Sequence, residues 1–399
     1  MKIAIYHNLP SGGAKRALFE WSSRLSKRNE LSVYSLSTGD HHFCDVKPFA
    51  QNHKVTDFNP RTPLRFPMGR LNQFRRWADL RDLERLHIEI AREINTGGYD
   101  LLFAHADMFT LIPSLLGHIE IPSIYYLHEP FGASLARPLR TDSSVHEKVR
   151  GYMDRVDPFI PLYQQQLEKI RSQALLNTDL LLSNSEFTSE HIQKSYGVSS
   201  VVCHYGVSFD GFRPIPDTPR SNFVVSVGEL SMRKGFDFVV ESLAQIPSVD
   251  RPLLKIACNS VVSSEKAYIE KLAADCGVDL EILFGLNTDE LRLLYNEARF
   301  CVYAPVLEPF GLVPLEAMSC GRAVVGVSEG GVKESVLHER TGLLTSRDVK
   351  EFGAAVLRLL KDPMLADAYG HNGREYVLEN WSWERSVAEL EKHMQQVIQ

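Results

Sequence analysis

The sequence predicts an α/β protein built from two doubly wound domains that face each other across a cleft. Its 399 residues exceed the size at which one hydrophobic core usually stops growing, so two domains are expected. Two series of short apolar runs alternate with helical segments, which is typical of parallel sheets covered by helices on both faces. The proline-rich stretch 212–219 separates the series and suits an interdomain linker, because proline at that density disrupts regular structure.

The first domain is expected over residues 1–212. An apolar run at Lys2–His7 is followed by Gly12-Gly13 and a helix over Ala14–Lys27, which indicates a strand, a turn and a helix in succession. Further strands are expected at 31–36, 101–104, 123–127, 180–183 and 201–204.

The second domain is expected over residues 213–383. Its strands are predicted at 223–227, 253–257, 280–284, 301–304, 323–327 and 342–344. Beyond them, Val387, Leu390 and Met394 recur near helical spacing, so we expect a C-terminal helix, 384–399, that packs back on the first domain. Ligands of such sheets bind at the carboxyl ends of the strands, which makes the shared cleft the expected site.

Composition and charge disfavour several classes of protein. The net charge of −6 argues against a nucleic-acid-binding protein, which would normally carry a basic excess. The six cysteines form no Cys-x-x-Cys pair, so free thiols in a reducing compartment are favoured over disulfides or a zinc site. The opening apolar run is too short for a signal peptide, and no segment approaches the ~20 apolar residues of a spanning helix. A cytoplasmic protein is therefore expected.

The most specific stretch is 308–317, which reads Glu-Pro-Phe-Gly-Leu-Val-Pro-Leu-Glu-Ala. Proline and glycine break regular structure, so Glu308 is expected in a loop at the carboxyl end of a strand. Residues 311–313 would then open a helix whose backbone N–H groups can hold a pyrophosphate. Glu316 would lie within two turns, where its carboxylate can accept hydrogen bonds from ribose hydroxyls. Taken alone, both glutamates could be surface acids near a helix N-terminus.

Two further elements suit an anionic ligand. Arg233 and Lys234 follow the strand at 223–227, and fixed cations there would stabilise charge on a departing diphosphate. Gly12 and Gly13 could let backbone N–H groups approach a phosphate, although two glycines alone more often form a plain turn. The sequence contains neither Gly-x-Gly-x-x-Gly nor Gly-x4-Gly-Lys-Ser/Thr, which disfavours a dinucleotide oxidoreductase and a P-loop phosphotransferase.

His128 follows the strand at 123–127, again at a carboxyl end. A lone histidine is more often structural, but its place before a Pro-Phe-Gly loop favours a role in the site. His105 and Asp107 are weaker candidates for the same cleft. No Asp-x-Asp pair, which could hold a divalent metal on a diphosphate, occurs, so no metal ligands are predicted.

These stretches together resemble family four of the retaining glycosyltransferases, whose GT-B fold has two facing Rossmann-like domains. Residues 308–316 are similar to the family's Glu-x7-Glu motif, and 227–235 to its Val-Gly-Arg-Leu-x-x-x-Lys-Gly segment. Gly12-Gly13, Gly330-Gly331-Val332 and Trp381-Ser382-Trp383 fit in the same order. Ser183-Asn184-Ser185-Glu186-Phe187 matches another family segment, to which we assign an architectural role.

The resemblance implies a retaining, metal-independent hexosyltransferase that uses a nucleotide-sugar donor, expected to be UDP-glucose, and no cofactor. The implied catalytic residues are Glu308, His128, Lys234 and Arg233. The implied donor-binding residues are Gly12, Gly13, Arg233, Lys234, Gly285, Leu286, Phe310, Gly311, Leu312, Val313 and Glu316. No residue stands out as a covalent nucleophile, so same-face attack is favoured, with a diphosphate oxygen accepting the acceptor's proton. The sequence departs from the family pattern at one phosphate-binding position, where Glu229 replaces the usual arginine.

The implied acceptor is a saccharide or a lipid-linked saccharide bound by the first domain, in polysaccharide or glycoconjugate biosynthesis. Segment 61–77 carries five arginines with interleaved aromatic residues and could contact anionic lipid at the inner membrane face or bind an anionic acceptor. The alternative is a solvated helix face, since Asp79, Asp82 and Glu84 follow at once.

Two other functions stay open at this point. A nucleotide-sugar epimerase of similar build would convert its donor without any acceptor. A non-catalytic nucleotide-sugar-binding protein, which Glu229 makes conceivable, would bind UDP and release none from any donor.

Overall fold

The computed structural model describes residues 1–64, 71–129, 158–259 and 263–399, which contain two parallel sheets. The first half of the chain, residues 1–212, carries seven strands in the order β3-β2-β1-β4-β5-β6-β7. The second half, residues 213–383, carries six strands in the order β10-β9-β8-β11-β12-β13. In each sheet the strand that comes first in the chain, β1 or β8, lies in the interior, and later strands are added first on one side of it and then on the other, as in doubly wound sheets. The predicted fold class is confirmed.

The strands of the first sheet are β1 Lys2–Asn8, β2 Glu30–Leu36, β3 Asn52–Thr56, β4 Leu101–Asp107, β5 Ser123–Leu127, β6 Leu180–Ser183 and β7 Val201–Val202. Those of the second are β8 Phe223–Val227, β9 Leu253–Cys258, β10 Leu280–Phe284, β11 Cys301–Tyr303, β12 Val324–Val327 and β13 Gly342–Thr345.

The helices of the described residues are α1 Gly13–Leu25, α2 Leu71–Thr96, α3 Phe159–Leu176, α4 Glu186–Tyr196, α5 Phe236–Ala244, α6 Ser263–Cys276, α7 Thr288–Glu297, α8 Leu312–Ser319, α9 Val332–Ser335, α10 Val349–Lys361, α11 Pro363–Asn380 and α12 Trp383–Ile398. None of them is both long and apolar enough to cross a bilayer. All six cysteines are free thiols.

Strand β1 shows why these runs are apolar on both sides. Ile3 and Ile5 pack into the core under α1, whereas Ala4 and Tyr6 pack into the core on the opposite face. Parallel strands buried on both faces read as continuous hydrophobic runs, which made them visible in the sequence. Strand β3 was missed because it lies at the sheet edge and its residues are largely exposed and polar.

Two segments close to the ends of the second half, 206–207 and 381–383, touch each other. The Val207 amide donates to the Trp381 carbonyl over 2.8 Å, and Val207 forms a parallel bridge with Ser382. A side chain on Gly206 would overlap the backbone of Trp383, so only glycine permits this approach.

Helix α12 contacts the first half. The indole Nε1 of the fully buried Trp21 donates to the Ser386 hydroxyl over 2.9 Å, and the Trp21 and Trp383 rings meet edge to face. The predicted boundary at 212/213 stays a prediction.

Candidate functional site

Two helix starts, one from each half, face each other at the carboxyl ends of the sheets. Helix α1 begins at Gly13 and α8 at Leu312, with the glycines Gly12 and Gly311 as N-caps. Neither start has a side-chain cap or an acid in its first turn. A Cβ on Gly13 would lie 3.5 Å from Leu312 Cδ1, so the two starts adjoin. Helix starts without a side-chain cap favour an anionic ligand through their N–H groups and dipoles.

Lys234 and Glu308 form an ion pair beside these helix starts. Lys234 Nζ lies 2.9 and 2.8 Å from the two Glu308 oxygens, and both side chains are half-buried. Lys234 ends a 3-10 turn that is closed by Gly235 in the left-handed region, where a Cβ would overlap the Ala304 carbonyl. Val306 donates to the Arg233 carbonyl over 2.8 Å, so the basic turn is fixed to the loop that carries Glu308.

Gly330 and Gly331 pack against the backbone of the loop that carries Glu308. Gly331 donates its backbone N–H to the Glu308 carbonyl over 2.8 Å. A Cβ on Gly330, at φ 61°, would overlap the Glu308 backbone, and one on Gly331 would overlap the Pro309 carbonyl. These glycines therefore allow the backbone contact that places Glu308 at the cleft.

Glu316 is buried and joins the two halves. Arg16 Nη1 of α1 lies 2.6 Å from Glu316 Oε1, and the Tyr295 hydroxyl donates to Oε2 over 3.1 Å. Burial raises the pKa of Glu316, while the Arg16 charge and both hydrogen bonds act in the opposite direction. Each carboxylate oxygen can accept two hydrogen bonds, so both retain capacity for a ribose hydroxyl. The sequence reading missed Arg16, although its place three residues after Gly13 was a usable signal.

His128 lies within a buried chain of hydrogen bonds at the carboxyl end of the first sheet. Its Nε2 is 2.8 Å from His105 Nδ1, and its Nδ1 is 2.5 Å from the Tyr205 hydroxyl. Burial lowers the pKa of His128 to about 3 and that of His105 well below 6.5. Both rings are therefore neutral at pH 7, and both nitrogens of His128 already have protein partners. A hydrogen bond from this ring to a sugar would require it to release one of them.

Asp107 is an internal support of the first sheet. It accepts hydrogen bonds from the Tyr6 hydroxyl and from Asn8 Nδ2, each over 3.0 Å, and is fully buried. His105 is also fully buried, and its Nε2 has no hydrogen-bond partner among the described residues. These two weaker candidates lie beneath the cleft.

Arg233 and the expected base site lie further out on the second half. Arg233 Nη1 is 3.7 Å from Glu129 Oε2, across the cleft, and both side chains are about half exposed. Gly285, at φ 71°, and the half-buried Leu286 follow the edge strand β10. The structure thus brings Lys234, Glu308 and the two helix starts together, while residues 285–286 occupy a separate part of the same edge.

The basic segment 61–77 is partly neutralised by its neighbours. Arg61 pairs with Asp79 and Asp82 at 2.5 and 2.7 Å, and Arg75 donates to the Thr62 carbonyl. Residues 65–70 of this segment lie outside the described residues, and a membrane contact stays a prediction. No group of three or more His, Cys, Asp or Glu residues that could hold a metal ion occurs in the described part of the chain.

Comparison with protein families gives two adjoining matches. Residues 11–210 match the model of glycosyltransferase family 4, and residues 211–376 match that of the glycosyl transferases group 1. The chain is 31% identical over 285 residues to the GDP-mannose-dependent alpha-(1-6)-phosphatidylinositol monomannoside mannosyltransferase of Mycobacterium tuberculosis, covering 65% of this chain and 70% of that one. It is 26% identical over 217 residues to the lipopolysaccharide core biosynthesis mannosyltransferase LpcC of Rhizobium leguminosarum, covering 51% and 61%.

Solved structures of similar fold cover nearly the whole chain. Sucrose-phosphate synthase of Thermosynechococcus elongatus superimposes with a TM-score of 0.71 at 18% identity, covering 99% of this chain and 98% of that one. HepE of Anabaena, in complex with UDP and glucose, gives a TM-score of 0.72 at 18% identity, covering 99% of both. At these identities the likeness concerns the fold alone.

Proposed function

The chain belongs to glycosyltransferase family 4 and is a glycosyltransferase with the GT-B fold, and from this premise we propose that it transfers a hexose with retention and without a metal ion. The donor is a nucleotide diphosphate sugar bound in the cleft, and the acceptor is a saccharide or a lipid-linked saccharide.

One observation carries this proposal: the starts of α1 and α8, which have no side-chain cap, adjoin each other beside Lys234. A diphosphate seated there would receive backbone N–H groups from α1 and α8 and the charge of Lys234. Preorganised donors and a cation stabilise the negative charge that grows on the diphosphate as the sugar leaves. These groups can supply the electrostatic stabilisation that a metal ion would otherwise provide.

In the proposed step, the bond between the sugar C1 and the diphosphate oxygen breaks while a bond from C1 to the acceptor oxygen forms on the same face. The acceptor hydroxyl proton passes to the departing diphosphate oxygen. Glu316 binds the ribose, and Glu308 and His128 lie beside the sugar. Before the donor binds, the ion pair with Glu308 holds the Lys234 side chain in place. When the donor binds, Lys234 replaces part of its contact with Glu308 by a contact with the diphosphate.

Two donors are the first to test. UDP-glucose is the expectation from the family resemblance, and GDP-mannose is favoured by the name of the M. tuberculosis relative. The names of the two mannosyltransferases, which refer to a phosphatidylinositol glycoside and to lipopolysaccharide core, support a lipid-linked acceptor. With such an acceptor, the protein would work in the cytoplasm or at the inner membrane face, with 61–77 as the candidate contact.

The test has two stages. Thermal unfolding with a panel of nucleotide sugars identifies the donor, because a ligand at 100 times its Kd adds roughly 2.7 kcal/mol of stability. Release of nucleotide diphosphate is then measured with and without saccharide acceptors. A transferase gives slow release alone and faster release with acceptor, whereas an epimerase converts the donor unaided. Stabilisation by UDP or GDP with no release from any donor would favour a binding protein.

A further inference from the structure

The segment Ser183–Phe187 contacts both halves of the molecule. It ends β6 and opens α4, with Ser185 as the N-cap. Asn184 is 2% exposed, and Ser185 and Thr188 are fully buried. Polar side chains buried to this extent are expected to have defined hydrogen-bond partners.

Asn184 holds the His128 segment of the first half. Its Nδ2 donates to the His128 carbonyl over 2.8 Å and lies 3.4 Å from the Tyr205 hydroxyl. Its Oδ1 accepts from the Thr188 hydroxyl over 2.8 Å. This pattern fixes the orientation of the amide, because only its NH2 group can donate to a carbonyl.

Ser185 reaches the second half. As N-cap it accepts the Thr188 backbone N–H over 3.0 Å, and its hydroxyl donates to the Pro309 carbonyl, directly after Glu308. A hydroxyl has one hydrogen to donate, and of the three acceptors within reach the Pro309 carbonyl is nearer than Thr188 Oγ1 at 3.0 Å and Asn184 Oδ1 at 3.3 Å. Gly331 also lies against this carbonyl, which a Cβ at that position would overlap.

A second contact holds the same helix start against the second half. The Glu334 carboxylate accepts the backbone N–H groups of Glu186 and Phe187 over 3.0 and 3.1 Å. A carboxylate is favourable at a helix N-terminus because of the helix dipole. The start of α4 therefore joins the two halves through Pro309 and Glu334.

We propose that Asn184 and Ser185 are positioning residues for the transferase. Asn184 holds the backbone of His128 and Ser185 holds the backbone after Glu308, so together they set the distance between His128 and Glu308 across the cleft. They are adjacent on one helix start, so one rigid element carries both hydrogen bonds. If the halves separate, the Ser185–Pro309 bond must break while the Asn184–His128 bond remains. This inference rests on the proposed roles of His128 and Glu308.

The test compares three variants of the full chain. Ser185→Ala removes the hydroxyl and Ser185→Thr keeps it. Ser189→Ala removes a hydroxyl one turn along α4 that donates to the Ser200 carbonyl and accepts from the Ser200 hydroxyl, both in the first half. Hydrogen exchange of backbone amides 306–313 is measured by mass spectrometry without any ligand. We expect faster exchange there in Ser185→Ala, and wild-type exchange in Ser185→Thr and Ser189→Ala.

Activity gives a second, separate readout. With the donor found by the panel, Ser185→Ala should lower kcat about fivefold, since one aligned hydrogen bond contributes about 1 kcal/mol and tenfold in rate is 1.36 kcal/mol. Donor Kd should change by a smaller factor than kcat, because the hydrogen bond of Ser185 ends on the Pro309 carbonyl and not on a group proposed to bind the donor. A role in capping α4 alone would lower thermal stability and leave both readouts at the wild-type level.

Wild-type exchange of 306–313 in Ser185→Ala would overturn the inference whatever the donor proves to be. Equal loss of kcat in Ser185→Ala and Ser189→Ala would also overturn it. Faster exchange in Ser185→Ala alone, combined with a wild-type protein that releases no nucleotide, would instead refute the proposed function and leave the contact between the halves established.

Discussion

The carboxyl edges of the two sheets are built from different chemistry, although both sheets are doubly wound. The first edge is an internal network in which His7, His105 and His128 end or follow three adjacent strands and are buried and neutral. The second edge carries the exposed or half-buried charges of 229–234 and 308, supported by close-packed glycines. The comparison teaches that the first half buries its polar groups in internal hydrogen bonds, which include the buried Lys15 and Asp107, whereas the second half leaves its charges partly exposed toward the cleft.

Lowering the pH should have the largest effect, because it should destabilise the first half far more than the second. Burial lowers the pKa of His7, His87, His105 and His128, so these groups stay neutral in the folded state while they protonate below 6.5 in the unfolded chain. Their stabilisation is present above pH 6.5 and is lost as the pH falls, at up to about 1.4 kcal/mol per pH unit for each group. We expect a loss of up to roughly 7 kcal/mol between pH 7 and 5 in the first half.

Hydrogen exchange at the two pH values, corrected for intrinsic rates, resolves the halves. Strands β4 and β5 should lose protection at pH 5, while β8 and β9 retain it. The second half is the internal control, because His338 and His371, the histidines of residues 213–383, are exposed. Equal loss of protection in both sheets would contradict the contrast between them.

Lys234→Ala tests the charge on the second edge. Without this cation the diphosphate leaves less easily, and we expect the rate to fall by about 10²–10³-fold, which corresponds to roughly 3–4 kcal/mol. The measurement is nucleotide release at saturating donor. Lys255→Ala is the matched control, since Lys255 Nζ is also ion-paired, 2.9 Å from Glu281, on strand β9 of the same sheet. A wild-type rate in Lys234→Ala would remove this residue from the mechanism.

Glu316→Ala tests the contact between the edges. Loss of hydrogen bonds from a ribose to a charged group should weaken donor binding by roughly 10–100-fold, or about 1.5–3 kcal/mol. Titration calorimetry measures the donor Kd. Arg16→Met breaks the same ion pair while keeping the carboxylate, so it separates the pair from the ribose contact. An unchanged Kd in Glu316→Ala would count against the ribose assignment.

Asp348→Ala tests the distinction between helix starts that bind ligands and helix starts that stabilise the fold. Asp348 caps α10 by accepting the N–H groups of Lys350 and Glu351 over 2.9 and 3.0 Å, unlike the uncapped starts of α1 and α8. We expect the free energy of unfolding to fall by about 1 kcal/mol and kcat to stay unchanged. A reduced kcat would show that a side-chain cap does not separate the two classes.

The sequence allowed accurate prediction where the signal is local. Strands β5, β6, β8 and β10 have the expected bounds because each is a short apolar run between turn residues. The helix start at Leu312 follows from the proline and glycine around it. Helix α1 runs over Gly13–Leu25 where Ala14–Lys27 was predicted, and differences of one and two residues are within the usual uncertainty of helix ends.

Contacts that join distant residues could not be predicted from the same signals. Arg16 and Glu316 are 300 positions apart, and Ser185 and Pro309 are 124 apart. Neither pair has a periodic pattern, since each depends on how two separately folded sheets are oriented. The pairing of Lys234 with Glu308 was missed for the same reason, although both residues were named as site candidates.

The contact between segments 206–207 and 381–383, beside the two connections between the halves, has a mechanical consequence. Two covalent links that lie side by side and are hydrogen-bonded to each other keep the distance between the halves constant at that point. A movement of the halves that preserves this contact is a rotation about it, so any change of cleft width would be a change of angle at 206–207 and 381–383. The last helix of the chain, which starts at Trp383, follows directly from that point.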